Sequence, residues 1–393
     1  MNLIFNAEAL RPPITGVGNY SFYLLEQYLK RNCFDKIECF TGTHWQSGRE
    51  QLDATTALKA RGGHDSHSAW EKLAGEIRLA VGHIPGTKAL YDSIMDWRFE
   101  GYANAMPDAI YHETNYILKP YAGPSVTTVH DLSHIRYPDC HSSNVIDWLG
   151  NNLAATLDRA DRIITVSNII REELLEHYRV SEDKVVTIYE GVDDRYKPRS
   201  GDDVQSALTP LGLKQKQYVL LTATLEPRKG IDVLLDAWSL LPLNLRQAFP
   251  LVITGSSGWR NSGLVDRIEA FIKEGTVHHL GYVQADLLPY LFSGASVFSY
   301  PSVYEGFGLP VLDAMRSGVP VICRAGTSMA EFAEGACVLC DTGDAEELAF
   351  HLERLLESPE ERAGWAARGR EQAGKFSWTR CADETLAIYR TIT

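Results

Sequence analysis

Glu305 stands beside Gly306-Phe307-Gly308 in the run PSVYEGFGLPVLDAM, where a β-rich segment gives way to a helical pattern near Leu309-Pro310. A carboxylate, glycine-freed backbone amides and the positive end of a helix dipole then meet in one loop, which suits hydroxyl and phosphate groups. Asp313 follows a little over one turn into that helix, so it can face the same cleft. A second loop, Thr224-Leu225-Glu226-Pro227-Arg228-Lys229-Gly230, also joins a strand to a helix. Arg228 offers planar bidentate donors and Lys229 a compact charge, a pair that suits a diphosphate; taken alone it reads as a solvated basic turn. Gly16 and Gly18 of TGVGNY permit close backbone approach to a ligand, but Ser21 occupies the place of the third glycine of a dinucleotide fingerprint. His130 ends SVTTVHD, where a lone histidine is commonly structural and only an expected cleft position gives it a role. Cys337 and Cys340 have no second ligand pair and read as buried thiols, not as a metal site.

These residues need a scaffold that brings separate loops together. Short apolar runs (LIFN, KIECF, SVTTVHD, RIITVS) alternate with helical patterns, the first helix over residues 20–30. Such βα alternation implies parallel sheets covered by helices. It stops after KVVTIYEGVD; residues 194–217, rich in Pro, Gly, Ser and Asp, form the best linker, and alternation restarts at YVLLTATL. Two α/β domains follow, 1–193 and 194–375, with a ligand cleft at the carboxyl ends of their strands. Residues 69–81 place Trp70, Leu73, Ala74, Ile77 and Val81 on one helical stripe, a helix packed on its own domain.

The ordered set TGVGNY, TVHDL, TVS, EGVD, TLEPRKG, LGYV, PSVYEGFGLPVLDAM, SGVPV and FSW closely resembles the retaining glycosyltransferases of family 4 across essentially the whole chain. Within that family the echo is nearest to bacterial O-antigen and exopolysaccharide mannosyltransferases. The resemblance implies the GT-B fold, two Rossmann-like parallel α/β domains facing across a cleft, with residues 376–393 crossing back onto the N-terminal domain. It implies that Glu305, first acid of an E-x7-E motif, contacts the donor sugar, while Asp313, aspartate where glutamate is usual, holds the ribose. Arg228 and Lys229 take the diphosphate, and Gly16 and Gly18 lie against the phosphates. Gly306, Phe307, Gly308 and Leu309 present amides to sugar and phosphate, Tyr282 and Val283 line the base, and His130 sits near the reacting centre. Ala223 and Glu190 depart from the family's usual glycine and asparagine. No metal is expected, since two cations and loop amides can stabilise the leaving diphosphate.

A net charge of -13, with 51 Asp+Glu against 38 Lys+Arg, weighs against a nucleic-acid partner. No apolar run of membrane-spanning length and no signal-like N-terminus appears, so a cytoplasmic protein is expected, touching the inner membrane face peripherally. The branch resemblance points to GDP-mannose or a related GDP-hexose as donor and a saccharide or lipid-linked saccharide as acceptor. Trp45, Trp70, Tyr91, Trp97, Tyr102, Tyr111, His112, Tyr116 and Tyr121 are candidates for stacking on sugar, against a competing role in packing. The alternatives are a UDP-hexose transferase of the same fold, a GT-B nucleotide-sugar epimerase, and a non-catalytic sugar-nucleotide-binding partner. A dehydrogenase is weaker, for want of the dinucleotide fingerprint.

Overall fold

Leu3 and Phe5 of strand β1 (Asn2–Asn6) point into one apolar layer and Ile4 into another, as the two-residue period of a strand requires. Both faces of the strand are therefore buried, which is why the sequence reads as a continuous apolar run. In this computed structural model, residues 1–60, 87–199, 201–256, 262–341 and 343–393 are described. The stripe at 69–81, with Trp70, lies outside them.

The first sheet adds β2 (Lys36–Phe40), β3 (Trp45–Ser47), β4 (Ile110–Glu113), β5 (Ser125–Val129), β6 (Arg162–Thr165) and β7 (Val185–Thr187), in the order β3-β2-β1-β4-β5-β6-β7. Only the β2–β3 edge pair is antiparallel. The second sheet contains β8 (Val219–Thr222), β9 (Leu251–Thr254), β10 (Val277–Gly281), β11 (Val297–Tyr300), β12 (Val321–Arg324) and β13 (Val338–Cys340), ordered β10-β9-β8-β11-β12-β13 and parallel throughout. Strand order reverses between β1 and β4 in one sheet and between β8 and β11 in the other. At such switch points the loops diverge and open a crevice. The loops leaving β8 and β11 carry Arg228, Lys229 and Glu305.

Three local readings differ from the structure. The first helix is Gly16–Lys30, beginning four residues before the expected start, so Gly16 and Gly18 lie in its first turn. Gly18 is there for packing: a Cβ would come within 2.5 Å of the Ala9 carbonyl. The linker also holds a helix, Asp202–Leu208, which buries Val204 and Leu208 one turn apart. Asp202 and Asp203 in its first turn complement the helix dipole, so the cluster that read as a breaker acts as a start signal. Of the aromatic candidates, Tyr111 and His112 are buried on central strand β4, and Tyr121 is tied to the Met106 and Ala109 carbonyls.

The last helix, Trp378–Tyr389, packs on Gly16–Lys30. Trp378, Cys381, Ala382, Leu386 and Tyr389 join the N-terminal core. Trp378 stacks on Tyr23 with centroids 4.9 Å apart, and the Tyr389 hydroxyl meets His112 Nδ1 at 2.6 Å. Burying each large side chain of this helix contributes roughly 1.5–3 kcal/mol. The chain crosses between the sheets twice, side by side, and a Cβ on Gly191 would lie 2.1 Å from the Trp378 nitrogen. Only glycine lets the two crossings touch.

Candidate active site

The loop after β8 turns back at Gly230, whose φ of +65° and Cβ position 2.3 Å from the Pro301 carbonyl exclude other residues without strain. That turn sets Lys229 against the loop leaving β11. Lys229 Nζ donates to Glu305 Oε1 at 2.6 Å, and Ser302 Oγ (2.6 Å) and the Tyr300 hydroxyl (3.0 Å) donate to the same oxygen. Arg228 Nη1 stands 3.7 Å from Glu305 Oε2, while its Nε donates to Glu226 at 3.0 Å. Burial alone would raise the Glu305 pKa; the Lys229 and Arg228 charges, with hydrogen bonds from Lys229 and Ser302, outweigh it and hold the carboxylate below its ordinary value. Two cations and two carboxylates, Glu226 and Glu305, thus pair in one buried knot, and the guanidinium and ammonium are the groups a diphosphate would draw on.

Glu305 meets the N-terminal domain through its neighbours. A Cβ on Gly306 would lie 2.0 Å from the His130 carbonyl, so this glycine lets the two domains touch at the strand ends. His130 is fixed by Nε2 against the Thr114 carbonyl (2.8 Å), by Nδ1 beside Glu190 (3.6 Å), and edge-on by the Tyr20 ring. The departure at Glu190 therefore puts a carboxylate next to the histidine. Tyr304 donates to Glu173 across the interface and accepts from the Leu132 amide.

Beside this knot lies an interdomain cleft of about 610 Å³. Its walls include Gly16, Tyr282, Val283, Leu309 and Asp313. Five of the residues singled out in the sequence therefore meet in one space. Arg228, Lys229, Glu305 and His130 form the adjoining knot, with Glu305 lining a second interdomain pocket of about 290 Å³ together with Arg136, Glu173 and Ser328. Phe307 turns its ring into the core against Phe332, and Gly308, at φ +107°, caps the helix Leu309–Arg316. Neither side-chain position faces the cleft.

Asp313 sits on that helix beside Tyr196, with Asp193 and Arg195 opposite. Burial and then the Asp193 charge push its carboxyl pKa well up, with Arg195 and a Tyr196 hydrogen bond opposing the rise. Tyr23, Lys59, Arg195 and Trp378 also line this space. Sequence reading missed Lys59 altogether. It lies at the end of the helix Gly48–Ala60, over the Phe22 and Tyr23 rings and 2.9 Å from Asn19 Oδ1, with its pKa pushed down to about 8 by burial and by Arg195. Nothing local in its sequence marks it, because its site is made by distant elements.

Two facing Rossmann-like sheets, with Arg228, Lys229 and Glu305 at the switch point of the second, define the GT-B class of sugar-transferring enzymes. Residues 60–196 match the model of Glycosyltransferase Family 4 and residues 209–372 that of Glycosyl transferases group 1. The chain is 33% identical over 392 residues to O-antigen chain mannosyltransferase B of Escherichia coli, covering 100% of each, and belongs with it to the family 4 glycosyltransferases. It is also 32% identical over 280 residues, 68% of this chain and 64% of the relative, to D-inositol 3-phosphate glycosyltransferase of Saccharomonospora viridis. Among solved structures, Anabaena HepE in complex with UDP and glucose aligns over 100% of both chains with TM-score 0.71 at 18% identity. WaaG, a glycosyltransferase involved in lipopolysaccharide biosynthesis, aligns over 100% of both with TM-score 0.67 at 16% identity. Among the described residues no helix is long and apolar enough to cross a membrane.

Proposed function

We propose that the protein is a retaining mannosyltransferase that moves mannose from GDP-mannose to a saccharide or lipid-linked saccharide acceptor, building a bacterial cell-surface polysaccharide. The observation that carries this reading is the full-length likeness to the E. coli O-antigen chain mannosyltransferase B. The donor's base lies along Tyr282 and Val283, Asp313 holds the ribose, and the diphosphate meets Arg228, Lys229 and the amides at the start of the helix Leu309–Arg316. Glu305 contacts the sugar hydroxyls, and His130 stands beside the reacting carbon. As the bond from the anomeric carbon to the phosphate oxygen breaks, the acceptor oxygen forms its bond on the same face. The departing phosphate takes the acceptor's proton. Arg228 and Lys229 stabilise the charge left on that phosphate, so transfer needs no divalent ion. The enzyme works at the inner face of the membrane, held there by the acceptor's own lipid.

GDP-mannose and several UDP-hexoses, each offered separately with a polyprenyl-linked or synthetic mannoside acceptor, test this reading. The expected product comes from GDP-mannose, keeps the donor's anomeric configuration by NMR, and forms equally with EDTA present. Product from a UDP-sugar alone overturns the donor, an inverted anomer the stereochemistry, and activity restored only by added Mg or Mn the metal-free route.

A further inference from the structure

Trp97 is 72% exposed on the helix Thr87–Ala103, an unusual setting for the largest apolar side chain. It does not stand alone. With Phe40, Trp45 and Tyr102 it frames a pocket of about 320 Å³, separate from the interdomain cleft, whose rim carries Thr43, His44 and Arg98. Inside, Trp45 stacks on Tyr102 (centroids 4.5 Å, planes 29° apart) and on Phe99 (5.2 Å, 26°).

We propose that this pocket binds sugar units of the acceptor chain remote from the end that reacts. The inference rests on the saccharide-acceptor reading above and extends it to a second subsite. Flat ring faces suit the C–H faces of a hexose, while Arg98, His44 and Thr43 on the rim suit its hydroxyls. A lipid tail would match the rings but make no use of Thr43, His44 and Arg98 on the rim. A short chain segment ties the pocket to the cleft wall. Arg11 Nη2 donates to Thr43 Oγ1 at 3.3 Å, and Gly42, at φ +81°, folds its loop down onto Glu8 and Arg11. The segment continuing from Arg11 supplies Pro13, Ile14, Thr15 and Gly16 to the cleft wall. An acceptor long enough to leave the cleft over this segment meets the pocket next.

Trp97→Ala tests the idea, because so exposed a side chain can be removed without opening the core. With a mannotetraose acceptor its KM should rise about threefold to tenfold, the range a sugar–aromatic stack supports, while KM for a methyl mannoside and the rate of donor hydrolysis stay unchanged. Trp97→Tyr, which keeps a flat face, should recover most of the loss. Mannotetraose binding by ligand-observed NMR, without donor, should likewise weaken in Trp97→Ala. Tetraose binding that depends on Trp97 in a protein that transfers no mannose would uphold the subsite and sink the proposed reaction. Equal KM values for both acceptors in wild type and variant, or Trp97-dependent sedimentation with phosphatidylglycerol vesicles and no effect on the tetraose, would overturn the subsite.

Discussion

Lys229 and Glu305 face each other at 2.6 Å with side chains only 9% and 12% exposed, so each makes the other's burial tolerable. Removing one partner strands a buried charge, which costs about 3–5 kcal/mol, and when Lys229 is the one removed Arg228, 3.7 Å from Glu305, pulls the loss toward the lower end. Lys229→Met and Glu305→Gln should therefore each lower the urea midpoint. The double variant should recover most of that stability, because no charge is left unmatched, yet remain inactive, because donor contacts are gone. A double variant no more stable than its parents in a denaturation cycle would show that the two residues are not coupled.

At the scale of elements, the C-terminal helix is held from below by a histidine that cannot easily take a proton. His112 bridges the Tyr389 hydroxyl and Thr128 Oγ1 at 2.6 and 2.8 Å; burial, then the neighbouring His130, lowers its pKa from 6.5 to about 3. Between those values the unfolded chain binds a proton that the folded chain refuses. Stability from this group is therefore complete above about pH 6.5 and declines as pH falls toward 3, by at most about 1.4 kcal/mol per pH unit. His112→Gln should be less stable at pH 7.5, where it loses a fitted bridge, and the gap to wild type should close as pH falls to 5. Parallel denaturation profiles across that range would refute the assignment.

Across the whole molecule, Glu331 is one of the carboxylates that fasten the domains. Glu331 accepts from the Asn168 and Ile169 amides at 2.9 and 2.8 Å and from the Tyr189 hydroxyl at 2.8 Å. The negative charge sits at the N-terminus of the helix Asn168–His177, where the dipole favours it. Glu331→Ala leaves two amides to solvent and should weaken the closed arrangement by roughly 1–2 kcal/mol, the worth of a lost cap. The ligand-free variant should show a larger radius of gyration by X-ray scattering and a higher donor KM, since part of the binding energy must now close the cleft. Scattering and KM both equal to wild type would mean that other contacts set the domain angle.

The alternation of apolar runs and helical stripes determined two parallel sheets, because strands covered on both faces must be apolar throughout. The glycine, proline and acid spacing of EGFGLP and EPRKG marked the strand-end loops, since those residue types answer to backbone geometry within a few positions. Sequence could not tell that Gly18 serves packing while Gly16 faces the cleft, for that depends on the Ala9 carbonyl arriving from another loop. Nor could it sort the aromatics: Tyr111 and His112 lie on a central strand and vanish into the core, whereas Trp45, Trp97 and Tyr102 gather at the sheet's antiparallel edge. The raised pKa of Asp313 and the presence of Lys59 in the cleft were likewise decided by the tertiary structure alone. Burial and through-space charge depend on which distant segments converge, and local pattern carries no record of that.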